Sequence, residues 1–506
     1  MHDALQETVT KSKHEVWQMN SQAYRKPMRN SSTVIVGGGL AGLAAATALA
    51  GRGVSVTLLE SRPRLGGRAS SFVDRTTGER IDNCQHVNMG CCTNFQHFCR
   101  TIGLSHLLRR ETQLYFISPD GVTNRFFAAW LPAPLHLWPA IRKLSYLSAV
   151  DLRQLTKGLR ALVRVDPARP RSQSFAEWLQ DHRQTPAAIE RFWHVVLVSA
   201  LSETLDRIGV AQARKVFVDA FLANRRGWEV QVPSVPLDDF YGTPLTDWLT
   251  SRGAMLRMQT GVKRIVLEGD TVESVELRNG ERLPADHVIV TVPHYLALPL
   301  LPEQLRDHPQ LSGILRLESA PISSVHLWFD RPMTTLPHAV FVDRLSHWMF
   351  NRTFLQSSQA ESGGPSGVDE SNPKNRFYYQ VVISASRNLS DHSQQETIAE
   401  VVRELTGVWP DAAQAQLIHA RLVTEHQAVF SANPGADAFR PEQQSPIANL
   451  QLAGDWTRTG WPATMEGAIR SGYLAAENVL GHLGRPEKLV QPDLPSSLLS
   501  KILLGL

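Results

Sequence analysis

The stretch that most constrains the fold lies near the start of the chain, over residues 33–68. Its first residues, TVIV, form a β-branched run that suits a buried parallel strand. Gly37, Gly39 and Gly42 follow with the spacing G-x-G-x-x-G, and the small residues of Leu40–Ala50 then favour a helix. Such glycines permit a tight turn, close approach of the backbone to a pyrophosphate, and close helix–strand packing. The sequence therefore predicts a strand–turn–helix unit that binds a dinucleotide.

The residues after this helix complete the nucleotide-binding pattern. Val54–Leu59 predicts a second strand, and Glu60 ends it where a carboxylate can accept hydrogen bonds from ribose hydroxyls. Gly66, Gly67 and Arg68 come next, and an arginine there can approach the same pyrophosphate. This tail resembles the extended dinucleotide motif of glutathione-reductase-like flavoproteins, especially the amine oxidase and phytoene desaturase superfamily. The resemblance implies that the dinucleotide is FAD.

The length of the chain, 506 residues, exceeds what one hydrophobic core usually fills, so two domains are expected. We predict an α/β protein with α+β character: a glutathione-reductase-like Rossmann FAD-binding domain, and an interleaved substrate-binding domain of mixed sheet and helices. The FAD-binding domain comprises three segments, residues 31–112, 236–295 and 441–485. The substrate domain comprises two segments, the mostly helical residues 113–235 and residues 296–440. Within the first segment, a helix is predicted from about Met89 to Ile102.

Both ends of the chain are predicted to lie outside these domains. Residues 1–30 are polar and lack the apolar core of a secretory signal, so we expect a disordered tail. Residues 486–506 form a C-terminal tail, and its apolar end, Ser497–Leu506, is a candidate for membrane contact together with Phe126–Pro139. No apolar run is long enough to span a bilayer. We expect a cytoplasmic protein with peripheral contact at the cytoplasmic membrane.

Composition excludes some partners. The net charge of +4 is mild and the sequence contains no nucleic-acid-binding motif, so no nucleic acid partner is expected. The chain has four cysteines with two histidines among them: Cys84, Cys91, Cys92 and Cys99, with His86 and His97. Their spacing matches no common zinc pattern. We therefore expect no metal site, and free thiols in a reducing cytoplasm.

A second motif lies near the C-terminus. The sequence GDWT begins at Gly454, and ATMEGA at residues 463–468 opens a long helix. These segments resemble the C-terminal FAD motif of phytoene and zeta-carotene desaturases. The resemblance implies that Asp455 contacts the ribityl–phosphate region, that the helix N-terminus meets the flavin, and that the backbone of Val262 meets the adenine. The residues expected to bind FAD are Gly37, Gly39, Leu40, Ala41, Gly42, Glu60, Gly66, Gly67, Arg68, Val262, Gly454, Asp455, Met465 and Glu466.

Four further segments carry a closer resemblance. They are IDNCQHVNMG from Ile81, LPAPLHLWPA from Leu131, FWHVVLVSAL from Phe192 and GDWTRTGWPATMEGAIRSGY from Gly454. Together they are similar to the hydroxysqualene dehydroxylases of hopanoid biosynthesis, over about residues 33–480. The resemblance implies reductive removal of an allylic hydroxyl from hydroxysqualene, a C30 isoprenoid, to give squalene. An external electron donor is expected, because the sequence has one strand-bound glycine fingerprint and FAD occupies it.

This chemistry needs particular side chains near the flavin. Hydroxide leaves poorly and must be protonated, and the allylic cation must be kept from water. The motifs place three candidate acids there, His86, Glu466 and Asp82, in that order of preference. Each also fits a structural role: His86 could be a hydrogen-bonded wall residue, Glu466 could interact with the helix dipole, and Asp82 could accept hydrogen bonds from the backbone. Asp82 stands four residues before His86 and is expected to hold its proton.

Other assignments fit the same motifs. A carotenoid-type desaturase or isomerase takes hydride from a C–H bond and needs no acid for a leaving hydroxyl. A non-catalytic prenyl-binding escort, like the GDP-dissociation inhibitors, shares the fold, but the complete FAD motifs favour an enzyme. An amine oxidase needs a flavin-side lysine and an aromatic cage, for which the sequence offers no clear pattern.

Overall fold

The fold is organised around a parallel β-sheet that begins with the glycine-rich segment. The computed structural model describes residues 31–167, 169, 172–357 and 376–506, so the predicted tail over residues 1–30 lies outside them. Every adjacent pair in this sheet is parallel. Its five strands lie in the spatial order Met255–Arg257, Ser55–Leu59, Ser32–Val36, His287–Val290 and Leu450–Leu452. The two central strands are almost entirely buried, as their continuous apolar sequences predict.

Two helices from opposite ends of the chain pack together beside this sheet. Leu40–Ala50 is buried along its whole length, and Met465–His482 crosses it closely. The crossing depends on Gly472, because a Cβ there would lie 2.2 Å from the backbone oxygen of Ala41. The N-terminal and C-terminal motifs are therefore held against each other by backbone-level contact.

A second, seven-stranded sheet forms the body of the other half of the molecule. Its pairs are antiparallel except where His338–Phe341 runs parallel to Gln113–Ile117. The strands lie in the order Leu417–Phe430, Ser319–Phe329, Phe377–Ile383, Trp348–Asn351, His338–Phe341, Gln113–Ile117 and Thr123–Phe127. Residues 113–127 and 319–430 thus meet in one sheet although a large helical insertion separates them.

Helices dominate the region between these strands. Ser148 and Ser174 open two of them with complete capping boxes, which satisfy the first free backbone N–H groups. Two π-helical turns, Ile189–His194 and Val216–Leu222, interrupt longer helices. The other helices of this region are Trp138–Ile141, Ala149–Val163, Phe175–Asp181, Pro186–Ala188, Val195–Leu201, Val210–Lys215, Leu237–Tyr241 and Thr243–Thr250.

Smaller elements complete the fold. Two three-stranded sheets comprise Val262–Glu268, Thr271–Leu277 and Arg282–Pro284, and Asn88–Met89, Val230–Pro233 and Leu108–Glu111; a two-stranded sheet comprises Ser71–Val73 and Arg80–Asp82. The remaining α-helices are Thr93–Thr101, His294–Leu300, Glu303–Arg306, Arg352–Ser357, Gln394–Val408, Pro410–Gln414 and Leu498–Leu504. The helix predicted from Met89 therefore begins later, at Thr93, because Asn88–Met89 pairs with Val230–Pro233 instead.

Four buried histidines predict that acid destabilises the protein. Burial lowers the pKa of His136, His287 and His338 to about 4, and of His326 to about 3, from the ordinary 6.5. Below pH 6.5 these rings bind protons in the unfolded state but stay neutral in the folded state. The free energy of unfolding is therefore highest above pH 6.5 and falls as the pH drops below that value. Each ring contributes up to about 1.4 kcal/mol per pH unit. We expect the free energy of unfolding to fall by several kcal/mol between pH 6.5 and pH 5.

Denaturant unfolding at a series of pH values measures this effect. The variant His338→Phe removes one titrating ring that packs beside Trp348 and Phe350, so its stability should depend less steeply on pH than that of the wild type. A free energy of unfolding that stays constant from pH 7 to pH 5 would contradict the prediction.

Candidate active site

A single cavity of about 810 Å³ connects the two halves of the molecule. Its polar part is lined by the glycine-rich loop and by Glu60, Arg68 and Asp455. Its apolar part is lined by side chains of the helical region and the large sheet, among them Leu137, Trp138, Ile141, Phe192, Phe217 and Trp228. The predicted nucleotide site therefore opens directly into an apolar chamber.

The polar part has the form of a phosphate cradle. Gly37 has a φ of +114°, and a Cβ on Gly42 would lie 2.0 Å from the oxygen of Gly37, so both positions require glycine. Gly39 is the N-cap of Leu40–Ala50, and no side chain caps that helix. A Cβ on Gly39 would meet no described atom within 4 Å, because its Cα faces open space. Bare backbone and an open helix N-terminus suit a pyrophosphate.

Glu60 joins the cradle to the second strand. Its buried carboxylate accepts hydrogen bonds from the backbone N–H groups of Gly38 and Arg62, both at 2.7 Å. These bonds hold the glycine turn in place. Because a carboxylate has about four acceptor positions, Glu60 can also accept bonds from ribose hydroxyls in the cavity that it lines.

An ion pair links the two motifs that the sequence suggested. Arg68 Nη2 lies 2.6 Å from Asp455 Oδ1, across 387 residues of sequence, and Arg68 Nη1 donates to the oxygen of Ala428 at 2.8 Å. Burial acts to lower the pKa of Arg68, but the charge and hydrogen bond of Asp455 outweigh it and raise that pKa. Both side chains line the cavity beside the glycines. A fixed cation next to the cradle fits the charge of a dinucleotide.

The C-terminal motif completes this part of the site. Gly454, with a φ of +145°, donates its N–H to Ser471 Oγ at 2.8 Å. Thr464 caps the Met465–His482 helix by accepting from the N–H of Gly467 at 3.0 Å. The predicted cofactor-binding residues Gly37, Gly39, Leu40, Ala41, Glu60, Gly66, Gly67, Arg68, Val262, Gly454, Asp455, Met465 and Glu466 all line the one cavity, whereas Gly42 supports it from behind. The residues present therefore fit FAD.

Glu466 has a structural role. Its fully buried carboxylate accepts from the N–H groups of Asn94 and Phe95 at 3.2 and 2.8 Å, and from the side-chain amide of Asn94 at 2.8 Å. Arg470 Nε donates to it at 2.9 Å. Four hydrogen bonds thus occupy the carboxylate. Glu466 therefore anchors the Thr93–Thr101 helix.

Asp82 is likewise engaged elsewhere. Its Oδ1 accepts from Ser71 Oγ at 2.7 Å and from the N–H of Leu237 at 2.8 Å, and its Oδ2 lies 3.5 Å from Nη2 of the buried Arg352. The side chain does not line the cavity, although the residues that follow it do. Asp82 makes no hydrogen bond to His86 within the described residues: it ends a strand and its carboxylate turns toward the Leu237–Tyr241 helix. Its charge acts to raise the pKa of His86, as expected, but burial outweighs it and that pKa is lowered.

His86 does line the cavity. Its Nδ1 lies 2.9 Å from the oxygen of Cys84, an arrangement that places a hydrogen on Nδ1. No hydrogen bond from another described residue engages Nε2, which can bind or release a second proton. Burial lowers the pKa of His86 below 6.5. Once protonated, it is therefore a stronger acid than an ordinary histidine.

A tyrosine that no motif indicated shares the cavity wall. Tyr146 is buried, and burial raises the pKa of its phenol, so the hydroxyl keeps its hydrogen at neutral pH. Within the described part of the chain, no hydrogen bond engages this hydroxyl, although the backbone oxygen of Tyr146 accepts from Arg191 Nη1 at 3.4 Å. Arg191 also lines the cavity and pairs with Asp343 at 3.2 Å. The local sequence LSYLS does not indicate that Tyr146 lines a cavity, because only the tertiary fold brings Tyr146 there.

The four cysteines are free and buried, as predicted. Burial raises the pKa of Cys84 to about 12, so this cavity-lining thiol is protonated at neutral pH. Among the described residues, no three or more His, Cys, Asp or Glu side chains are placed to hold a metal ion.

Comparison with known proteins identifies the family. Residues 40–480 match the family described as flavin containing amine oxidoreductase. Among curated proteins, the 15-cis-phytoene desaturase of Narcissus pseudonarcissus is 27% identical, over 90% of this chain and 80% of the relative. The zeta-carotene desaturase of Zea mays is 26% identical, over 94% of this chain and 89% of the relative.

Solved structures show the same fold. An oxidoreductase from Methanosarcina mazei superposes with a TM-score of 0.66 at 16% identity, over 89% of this chain and 100% of the other. Cyclohexylamine oxidase from Brevibacterium oxydans gives a TM-score of 0.63 at 18% identity, over 90% of this chain and 100% of the other. The predicted fold class and the FAD cofactor are thereby confirmed. The chain belongs to the flavin containing amine oxidoreductase family and is an FAD-dependent oxidoreductase.

Proposed function

We propose that the protein removes the allylic hydroxyl of hydroxysqualene reductively and releases squalene, as a step of hopanoid biosynthesis. The observation that carries this proposal is the single cavity, in which the FAD cradle opens into an apolar chamber with a few polar groups on its wall. The apolar chamber suits a C30 isoprenoid, and His86, Tyr146 and Arg191, which are among the polar residues of the wall, suit one hydroxyl. The similarity of four sequence segments to hydroxysqualene dehydroxylases supports the same substrate.

The reaction breaks one C–O bond and forms one C–H bond. Reduced FAD, when bound, supplies the hydride that the carbon accepts. The leaving hydroxyl takes a proton and departs as water, so the chain must supply that proton and keep other water away. Apolar side chains of the chamber, such as Phe192, Phe217 and Trp228, exclude water from the allylic carbon.

We assign proton donation to His86 and orientation of the hydroxyl to Tyr146. Nε2 of His86 is free for a proton, because Nδ1 bonds to Cys84, and its lowered pKa makes the imidazolium a good donor. The phenol of Tyr146 has a raised pKa, which makes it a poor acid but a stable hydrogen-bond donor. The acid form of His86 is populated only as the pH falls through its pKa. The rate with prereduced enzyme should therefore increase below pH 6.5.

A carotenoid-type desaturase is the second candidate. Both named plant relatives are desaturases, and the apolar chamber suits a C40 polyene equally well. That reaction runs in the opposite direction, since the flavin accepts hydride from a C–H bond. It requires no proton donor for a leaving hydroxyl, so it does not use the polar side chains of the cavity wall. In either case we propose an external electron donor or acceptor, because the sequence has one strand-bound glycine fingerprint.

Two anaerobic incubations separate these functions. In one, dithionite-reduced enzyme is mixed with hydroxysqualene, and in the other, oxidised enzyme is mixed with phytoene; products are identified by mass spectrometry. We expect squalene in the first mixture and unchanged phytoene in the second. Desaturated products from phytoene, with no squalene from hydroxysqualene, would overturn the proposal in favour of the desaturase.

A further inference from the structure

The C-terminal helix, Leu498–Leu504, presents its apolar side chains to the outside. Leu498, Ile502 and Leu503 are 75%, 70% and 55% exposed, whereas Ser500 is fully buried. A helix on the surface of a globular protein normally shows the reverse pattern, with its apolar stripe against the core. This helix lies beyond residues 40–480, which match the family.

Polar contacts hold the helix in this orientation. Ser497 Oγ donates to the oxygen of Ala133 at 2.6 Å, and Ser500 Oγ donates to the oxygen of Leu222 at 2.8 Å. The N–H of Ser497 also donates to the oxygen of Ala223 at 2.8 Å. The serine face is thus fixed to the body, and the apolar face is not needed for attachment.

A second segment with exposed apolar side chains adjoins the helix. Trp130 is 86% exposed and Leu135 is 40% exposed, and both stand within three residues of Ala133, which receives the bond from the helix. We name these five exposed side chains the apical patch: Trp130, Leu135, Leu498, Ile502 and Leu503. A group of exposed apolar side chains of this kind marks an interaction site.

The apical patch lies over one wall of the cavity. Pro134 and Trp138 line the apolar chamber and flank Leu135 in sequence, and Leu222, which also lines it, receives the bond from Ser500. A molecule that leaves an apolar environment at the patch therefore lies beside this wall of the chamber.

The segments that contribute to the patch carry exposed cations. Asp219, Glu229 and Asp493 adjoin these segments and are each paired with a basic side chain, whereas the segments themselves, residues 128–147, 220–228 and 494–506, contain no Asp or Glu. They carry five cations, Arg142, Lys143, Arg225, Arg226 and Lys501, all of them exposed. An exposed tryptophan, exposed aliphatic side chains and surrounding cations are what an anionic bilayer surface attracts.

We propose that the apical patch docks on an anionic lipid bilayer and that apolar substrate enters the chamber from the membrane through the adjoining wall. The contact is interfacial: within the described residues no helix is long and apolar enough to cross a bilayer, and this one has seven residues. The lipid nature of the substrate rests on the proposed function, whereas the docking surface rests on exposure and charge alone.

Vesicle flotation of the full-length, FAD-loaded protein tests the proposal. Wild type should float with vesicles that contain phosphatidylglycerol and should float less with neutral phosphatidylcholine vesicles. It should also float less in 1 M salt, because salt at that concentration screens charges beyond about 3 Å. The variant Leu498→Ser/Ile502→Ser/Leu503→Ser should lower the floating fraction at least about tenfold, because three aliphatic side chains lose their apolar burial. The matched control, Leu315→Ser, replaces a leucine that is 78% exposed elsewhere and should float as wild type.

Two outcomes would overturn the docking surface. One is a wild type that does not float, or a triple variant that floats unchanged. The other is a wild type that is dimeric by light scattering and becomes monomeric in the triple variant, which would assign the patch to a second copy of the chain. Turnover of detergent-solubilised substrate should be unchanged in the triple variant, so a failure of docking is distinguishable from a failure of the proposed function.

Discussion

Replacing Gly39 with valine should yield a folded protein that contains no flavin. A Cβ on Gly39 would meet no described atom within 4 Å, so the substitution leaves the packing of the protein intact. Its φ of −76° is also one that valine adopts readily. The new side chain would instead occupy the space in front of the open helix N-terminus, where the pyrophosphate must approach the backbone. Flavin absorbance per mole of purified protein measures the effect.

Gly42 provides the matched control. A Cβ there would lie 2.0 Å from the oxygen of Gly37, so Gly42→Ala should disturb the fold as well as the cofactor. We therefore expect Gly39→Val to keep a cooperative thermal transition, whereas Gly42→Ala should lower its midpoint or abolish it. A normal flavin content in Gly39→Val would show that the cofactor does not occupy the cradle.

Replacing His86 with alanine should leave the flavin in place and slow dehydroxylation by about 10²–10⁴-fold, the usual effect of losing an acid that acts in the transition state. The variant lacks a ring that lines the cavity but keeps the cradle, the Arg68–Asp455 pair and the helix caps. In wild type the rate should fall as the pH rises through the His86 pKa, which burial places below 6.5. Single-turnover rates of prereduced enzyme, measured from pH 5 to pH 8, would reveal both effects.

Two controls separate proton donation from a structural role. The His86→Ala rate should lose its dependence on pH, and a substrate analogue with a better leaving group should recover most of the lost rate, because such a group departs without a proton. Tyr146→Phe should raise KM more than it lowers kcat and should keep the pH profile, since its hydroxyl only orients the substrate. A His86→Ala variant that reduces hydroxysqualene at the wild-type rate would place the acid elsewhere.

Local sequence is informative about the nucleotide site because the backbone carries much of the chemistry of that site. Gly37 must be glycine because of its positive φ, and Gly42 must be glycine because its Cα lies close to the backbone oxygen of Gly37. A short sequence motif is enough to show both requirements. The ion pair of Arg68 with Asp455 joins two motifs that were each recognisable alone. The glycine motif is readable locally because a strand–turn–helix unit fixes its own geometry, whereas the pair of Arg68 with Asp455 forms only in the tertiary fold.

The substrate half could be predicted less well, because its residues acquire their roles from tertiary contacts. Asp82 is close to His86 in sequence, yet the strand that it ends turns its carboxylate toward Leu237 and Arg352. Glu466 belongs to the flavin motif, yet its carboxylate holds the helix that begins at Thr93. The spacing of residues along the chain does not reveal where either carboxylate points. Tyr146 reaches the cavity only through the packing of the helical insertion.

The most direct test of the account is an anaerobic stopped-flow experiment that follows the flavin spectrum while reduced enzyme meets hydroxysqualene. The account predicts that the absorbance of oxidised flavin returns in a single turnover and that one squalene forms for each flavin oxidised. Wild type should do this, and His86→Ala should do it slowly at neutral pH. Flavin that stays reduced in the presence of hydroxysqualene, together with oxidised flavin that is bleached by phytoene, would contradict the account.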